Sequence, residues 1–195
     1  MNYPKGIKNN AIINKIPPRY DNRGMGLEND INLTNQYYID IKKAYIYKKP
    51  KPIQVTKIEY KNNSMIIKEG FFKEPSTTDY NGLYNGKYID FEAKETNNKT
   101  SFPLDNIHKH QIEHIRNVIN NKGIGFIIVR FNKLDKNFLL LGKDLIYFID
   151  NNIRKSIPLN YFIDKGFLIE NNYLPRLDYL KIIDNILGGT KNDKK

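Results

Sequence analysis

Two carboxylates and a lysine flank a predicted tight turn in the middle of this chain. Asp79 precedes the turn, Glu92 follows it, and Lys94 comes two residues later. The dipeptide Asn85-Gly86 between them is a strong signal for a two-residue hairpin loop. Carboxylate oxygens are ligands that Mg²⁺ prefers, and a lysine can stabilise charge that develops on a phosphate. These residue types fit metal-assisted hydrolysis of a phosphodiester, with a metal as Lewis acid and a metal-activated water as nucleophile.

The hairpin register brings these side chains onto one face. Continued pairing from the Asn85-Gly86 loop places Asp79 opposite Glu92. It also places Thr77 opposite Lys94, and residues two apart on a strand share a face. The opposite face of the hairpin is expected to pack into the core. Its residues are Thr78, Tyr80, Ile89, Phe91 and Ala93.

A bound cation is one of two explanations for the opposed carboxylates. Like charges directly opposite each other are destabilising, and a divalent cation between them would remove that cost. A solvated face on which the charges repel weakly explains the pattern equally well. A single β-bulge would also change the register.

Gln111 and Glu28 are further candidates for the same site. Gln111 shares a predicted helix face with Ile115 and Val118, which places a polar amide toward the sheet. There it could contact a metal, directly or through water, or be an ordinary boundary residue. Glu28 could add a third carboxylate, or be a first-turn glutamate that the helix dipole favours.

The histidines of the same helix are weaker candidates. His110 and His114 have the four-residue spacing of zinc ligands, but the sequence offers no third ligand and no zincin glutamate. We therefore expect histidines on the helix surface or facing phosphate.

Hydrophobic periodicity predicts an α/β domain with a mixed sheet. Residues 25–38, 108–121, 144–151 and 179–187 are predicted helices. Predicted strands cover residues 44–49, 54–60, 64–69, 124–131 and 137–141, and the apolar run at 124–131 is typical of a central buried strand. Residues 1–22 are predicted to be a flexible basic arm, and residues 188–195 a charged tail.

The composition indicates a folded protein with an anionic partner. The chain has 195 residues, of which 39% are hydrophobic, and a formal net charge of +11. Nucleic acid is the first candidate partner, although the abundance of Asn, Lys and Ile is also typical of proteins encoded by AT-rich genomes. Cysteine is absent, and no membrane span or secretory signal is visible. We therefore expect a cytoplasmic protein with no membrane partner.

Several long segments resemble the RecU-type Holliday junction resolvases of the PD-(D/E)xK nuclease superfamily. They are NRGMGLENDIN, PSTTDYNG, DYNGLYNGKYIDFEAKETNNKTSFP and HKHQIEH. The resemblance covers about residues 22–187. It implies one nuclease domain at 23–187, with a restriction-endonuclease-like mixed β-sheet flanked by helices. It also implies a protruding β-stalk at about residues 54–75.

The resemblance also implies roles for individual residues. The metal-site positions of the family fall on Thr77, Asp79, Glu92 and Gln111. Asp79, Glu92 and Lys94 are the implied catalytic residues, with Lys94 at the transition-state lysine. Implied or suggested DNA contacts are Arg23, Lys57, Lys61, Lys68, Phe71, Phe72 and Lys73, although the two phenylalanines could instead be core at the stalk base. Glu28 falls at the helix entry of related resolvases.

One departure from the superfamily pattern concerns the proline before the aspartate. Thr78 precedes Asp79 here, and Pro75 lies four residues before it. RecU-like sequences tolerate this difference, so activity is still expected.

The expected function follows from the resemblance. A homodimer would bind four-way DNA junctions and nick two strands of like polarity symmetrically, using Mg²⁺ or Mn²⁺. A RecA-type recombinase is a further expected partner. Two alternatives are a non-catalytic module that binds branched DNA or a recombinase, and a nuclease of the same superfamily that cuts linear duplex DNA.

Overall fold

The computed structural model of the protein describes residues 26–73 and 77–189. The α-helices within these residues are α1 (Leu27–Asp40), α2 (Lys109–Asn120), α3 (Gly142–Asn151), α4 (Leu159–Lys165) and α5 (Tyr179–Gly189). The strands are β1 (Tyr45–Lys48), β2 (Ile53–Lys61), β3 (Ser64–Phe72), β4 (Tyr80–Tyr84), β5 (Lys87–Thr96), β6 (Ser101–Pro103), β7 (Ile124–Phe131), β8 (Lys136–Leu141), β9 (Ser156–Pro158) and β10 (Phe167–Ile169). The expected arm at residues 1–22, Arg23 and most of the expected tail lie outside the described residues.

Six strands form one mixed sheet in the order β1-β4-β5-β7-β8-β10. β5 and β7 are parallel, with α2 in the connection between them, and the other neighbouring pairs are antiparallel. β6 and β9 form a separate two-stranded sheet. The expected mixed sheet flanked by helices is confirmed.

Two hydrophobic clusters lie on opposite faces of this sheet. The first contains residues of α1 and α5, and the second contains residues of α2, α3 and α4. The side chains of β7 alternate between them: Phe126 and Ile128 join the first cluster, whereas Ile127 and Val129 join the second. Burial on both faces explains why this strand is apolar throughout.

A stack of aromatic rings fixes the centre of the first cluster. Phe91 of β5 stacks between Tyr80 of β4 and Phe126 of β7, with ring centroids 4.8 and 4.6 Å apart. Tyr179 of α5 covers Phe91 at 5.3 Å. Large aromatic side chains contribute much of the energy of a core, so this stack holds the β4–β5 hairpin against the central strand β7.

The expected stalk is the antiparallel hairpin β2–β3, inserted between β1 and β4. Every residue of its two strands is exposed. A register shift at residues 55–58 interrupts the ladder, and Asn62 and Asn63 form the turn with positive φ angles. Phe71 and Phe72 are also exposed, so the alternative that they form core at the stalk base is wrong.

Several elements differ from the sequence-based expectation. The short strands β6, β9 and β10 and the seven-residue helix α4 were not predicted, because three to seven residues show no usable periodicity. α1 begins at Leu27, where Oε1 of Glu95 accepts a 2.6 Å hydrogen bond from the Leu27 N–H. Within the described residues, none of the helices has the length and apolarity needed to cross a membrane.

We predict that Phe91→Ala lowers the free energy of unfolding by about 3–5 kcal/mol, because it empties the centre of the ring stack. Phe72→Ala is the matched control on the exposed stalk. It should change the free energy of unfolding by less than about 0.5 kcal/mol. Urea denaturation of both variants provides the measurement. Similar losses for the two would contradict the core role of Phe91.

Candidate active site

The predicted hairpin register is confirmed for the paired residues. β4 and β5 pair from Tyr84↔Lys87 to Tyr80↔Phe91. Asn85 and Gly86 have φ angles of 48° and 71°, as a type I′ loop requires at both central positions.

Asp79 and Glu92 lie together at the open end of this hairpin. The ladder stops at Tyr80, and the backbone N–H of Asp79 instead donates a 3.0 Å hydrogen bond to Oε2 of Glu92. The carbonyl oxygen of Asp79 accepts a 2.7 Å hydrogen bond from the Lys49 N–H, just after β1. The Asp79 backbone is therefore held from both sides, beside the Glu92 carboxylate.

Glu92 is an unusual carboxylate because it is fully buried. Burial raises its pKa to about 8, and a side-chain hydrogen bond with Asp79 and the negative charge of Asp79 add to the increase. Lys94 opposes this effect, with its Nζ 2.9 Å from Oε1 of Glu92. Hydrogen-bond geometry is not met there, so Oε1 has an ion-pair partner but no hydrogen-bond donor.

The expectation that Thr78 belongs to the core face is wrong. Its hydroxyl donates a short hydrogen bond to Oδ1 of Asp90, on the same face of β5 as Glu92. Side chains alternate between the two faces only within a strand, and Thr78 lies before β4 in irregular backbone. Tyr80, Ile89 and Phe91 are core residues as expected.

Gln111 is buried at the start of α2 but has a local partner. Its Oε1 accepts a 3.0 Å hydrogen bond from the backbone N–H of His108, the N-cap residue. This contact is one half of a capping box. It explains why a polar amide is tolerated on a helix face that is turned inward.

Glu28 contributes to a cleft beside Asp79. This cleft of about 370 Å³ is lined by Glu28 and by residues 48–52 and 77–79. Glu28 forms an ion pair with Lys48. The cleft therefore combines two carboxylates with three lysines, which suits a phosphate held beside a cation.

Sequence reasoning missed Lys49 and Asp90 next to this site, and it considered His114 only as a zinc ligand or a surface residue. Asp90 is fully buried, and both Lys49 and His114 direct a nitrogen at its Oδ2. The period of two along β5 was a usable signal for Asp90, since it shares a face with Glu92. His114 contacts the buried Asp90 carboxylate, and His110 stacks on His108, so neither histidine is simply a solvent-facing residue of the helix surface.

The donor set fits a hard divalent cation. Two acidic residues lie together, and Glu92 is fully buried, with Lys94 Nζ 2.9 Å from its Oε1. Among the described residues, no cluster of three or more His, Cys, Asp or Glu side chains is arranged as a metal site. A cation here would therefore need the carboxylates of Asp79 and Glu92 together with neutral oxygens and water, which is how Mg²⁺ is commonly held.

Comparison with known proteins decides the family. A family model described as Recombination protein U matches residues 22–185. The Holliday junction resolvase RecU of Oceanobacillus iheyensis is 47% identical over 194 residues, which cover 95% of this chain and 99% of that protein. The chain belongs to the RecU family.

Other similar proteins include a second member of the RecU family. The Holliday junction resolvase RecU of Bacillus thuringiensis strain Al Hakam is 46% identical over 195 residues, covering 95% of this chain and 98% of that protein. Among solved structures, Hjc, a Holliday junction resolvase of Archaeoglobus fulgidus, has a TM-score of 0.40 and 7% sequence identity. That alignment covers 68% of this chain and 89% of the archaeal protein.

We predict from the raised pKa of Glu92 that the stability of this RecU family member depends on pH. Without metal, folded Glu92 keeps its proton up to a pH of about 8, whereas an unfolded glutamate releases it near 4.5. Between these values the folded state binds more protons, so stability should fall as pH rises, by up to about 1.4 kcal/mol per pH unit. Glu92→Gln should remove this contribution.

Urea denaturation in chelator at pH 5 and pH 7.5 measures this effect. Wild type should lose stability relative to Glu92→Gln on going to the higher pH. Glu113→Gln, an exposed change on α2, should keep the wild-type pH dependence. The prediction would be contradicted if the difference in the free energy of unfolding between wild type and Glu92→Gln were the same at both pH values.

Proposed function

We propose that this protein is a divalent-metal-dependent endonuclease that resolves four-way DNA junctions. The main support is the arrangement of three residues in a member of the RecU family. The Asp79 backbone N–H donates a hydrogen bond to the Glu92 carboxylate, and Lys94 lies 2.9 Å from Glu92. A solvated charged face does not explain this pair, because Glu92 is fully buried.

The proposed metal ligands are Asp79 and Glu92, with Thr77 and Gln111 supplying neutral oxygens directly or through water. Mg²⁺ is the proposed cofactor, and Mn²⁺ should substitute for it. When bound, the cation supplies Lewis-acid chemistry, which draws electron density from the phosphate and makes water more acidic. Gln111 must release or share its hydrogen bond with His108 to contribute its oxygen.

The other residues of the site bind and orient the DNA backbone. Lys94 is aimed at the carboxylate pair, where its charge can stabilise negative charge that develops on the scissile phosphate. Lys48 and Lys51 line the cleft beside Asp79, where they can hold the adjacent phosphates. Glu28 is a proposed extra acidic residue, and Arg23 a proposed DNA contact.

The stalk suits the branch point of a junction. Its lysines Lys57, Lys61, Lys68 and Lys73 are exposed, as are Phe71 and Phe72. Phosphates attract lysines, and unpaired bases stack on aromatic rings. We therefore assign the stalk to the centre of the junction and the cleft to the strand that is cut.

Symmetric cutting requires two active sites, so the proposed functional unit is a homodimer with one site per subunit. A C₂ dimer matches the two-fold symmetry of paired nicks. A RecA-type recombinase is a proposed further partner, and the cytoplasm is the proposed location.

Asp79→Asn and Glu92→Gln should each keep junction binding and reduce cleavage by at least about a hundredfold, since even outer-shell partners of metal ligands contribute ten- to a hundredfold. Cleavage of a synthetic four-way junction in Mg²⁺, Mn²⁺ or chelator is the assay. Glu113→Gln is the control and should cut like wild type. Normal cutting by either site variant in Mg²⁺ would show that the assigned site is wrong.

The same assay separates the alternatives. Wild type should cut the four-way junction faster than linear duplex of the same sequence, at matched salt. Equal rates would favour a nuclease for linear duplex DNA. Failure to cut any substrate with either metal would favour a non-catalytic binding module.

Lys61→Ala and Lys73→Ala should weaken junction binding and reduce its salt dependence. Lys57 and Lys68 form ion pairs with Glu69 and Glu59. Within the described residues, Lys61 and Lys73 have no such partner. Each lost phosphate contact should reduce the slope of log affinity against log salt by about 0.9.

Binding titrations from low to high salt measure this slope. Lys165→Ala, an exposed change on α4, is the matched control and should leave it unchanged. If neither stalk variant changes the slope, these lysines do not contact phosphate.

A further inference from the structure

A second buried carboxylate lies beside the proposed metal site. Asp90 is fully buried on β5 and shares a face with Glu92, two residues away. Four side chains from different parts of the chain direct a polar atom at its carboxylate: Lys49, Thr78, Tyr88 and His114.

The contacts involve both oxygens of Asp90. Oδ2 lies 2.7 Å from Lys49 Nζ, 2.7 Å from the Tyr88 hydroxyl and 3.0 Å from His114 Nε2. Oδ1 accepts the short hydrogen bond from Thr78. A buried charge with this many partners holds those partners in fixed positions, because each would lose a strong, desolvated contact by moving.

Two of these partners, Thr78 and Lys49, belong to or contact the segment that carries Asp79. Thr78 lies directly before Asp79, outside the β4–β5 ladder. The Lys49 ammonium is also 3.1 Å from the Thr78 hydroxyl, and the Lys49 backbone N–H binds the Asp79 carbonyl oxygen. Asp90 therefore fixes residues 77–79, which regular strand pairing does not hold against β5.

A third partner connects Asp90 to α2. His114 lies three residues after Gln111, on the neighbouring turn of the same helix face. The contact of His114 with Asp90 ties α2 to β5. Residues 77–79 and β5, which carry proposed metal ligands, thus meet at this one carboxylate. The helix that carries Gln111 contacts the same carboxylate through His114.

We propose that Asp90 is a positioning residue of the cleavage reaction, which sets the separation of Asp79, Glu92 and Gln111 without touching metal or DNA. This role rests on the proposed function of the same site. Outer-shell groups that orient ligands commonly affect metal affinity or activity by ten- to a hundredfold.

The test is Asp90→Asn, which keeps the side-chain shape and removes the charge. The Mn²⁺ affinity, measured by calorimetry or by electron paramagnetic resonance of free Mn²⁺, should fall about ten- to a hundredfold. The Mg²⁺ concentration for half-maximal junction cleavage should rise by a similar factor. The junction dissociation constant in chelator should stay within about twofold of wild type, because Asp90 is fully buried.

Asp30→Asn is the matched control for simple destabilisation. Asp30 is also a buried carboxylate with cationic partners, Arg130 at 2.6 Å and Arg176 at 3.0 Å, but it connects α1 to β7 and the segment before α5. Assayed below its unfolding transition, this variant should keep the wild-type Mn²⁺ affinity. An equal loss of Mn²⁺ affinity in Asp30→Asn would overturn the positioning role.

A second pair of variants tests the same proposal if Asp90→Asn does not fold. Thr78→Val removes the hydroxyl at almost constant volume, and Thr78→Ser keeps it. The valine variant should bind Mn²⁺ at least about fivefold more weakly than the serine variant. Equal affinities would overturn the proposal.

The outcomes also distinguish this proposal from the proposed function. If Asp79→Asn binds Mn²⁺ like wild type, or wild type does not cut junctions, the proposed function fails. If wild type and Asp79→Asn behave as expected but Asp90→Asn keeps the wild-type metal requirement, only the positioning role fails.

Discussion

Two carboxylates lie side by side on one strand face, and both are fully buried. Asp90 and Glu92 point to the same side of β5. A carboxylate removed from water is costly unless charged or hydrogen-bonding groups surround it. Asp90 is compensated by a lysine, a histidine and two hydroxyls, whereas Glu92 has one lysine and a backbone N–H. Burial raises the pKa of Glu92 to about 8 although Lys94 lowers it.

This electrostatic constraint explains the arrangement of the surrounding segments. Lys49 reaches Asp90 only because β1 pairs with β4 at the edge of the sheet. His114 reaches it because the parallel β5–β7 crossover places α2 over this face. The other face of β5 carries Ile89 and Phe91 in the hydrophobic core. One strand therefore combines a rigid apolar face with a charged face, which is how a site gains precise geometry from its scaffold.

Much of this arrangement could be predicted from local sequence. Asn85-Gly86 fixed the hairpin loop, and the register then followed for every pair from Tyr84 to Tyr80. The apolar run of β7 identified a central strand, and the two strands of the stalk were also predicted. These features depend on neighbours in the sequence, so periodicity and turn chemistry carry the information.

The remainder depends on contacts that sequence spacing does not encode. Thr78 turns toward Asp90 because the chain returns there from the stalk in irregular backbone. Lys49 and Asp90 are 41 residues apart, and nothing local marks them as partners. Gln111 was recognised as a polar residue on an inward face, but its capping hydrogen bond with His108 was not anticipated.

Two backbone hydrogen bonds lie at the base of the stalk. The Lys49 N–H binds the Asp79 carbonyl oxygen at 2.7 Å, and the Lys73 N–H binds the Pro52 carbonyl oxygen at 2.9 Å. Backbone hydrogen bonds of this kind place little demand on side-chain identity. Doubling the length of a loop between fixed ends costs only about 0.6 kcal/mol. Natural selection can therefore lengthen, shorten or rewrite the stalk of such a protein while the catalytic domain stays the same, so the two parts are free to diverge at different rates.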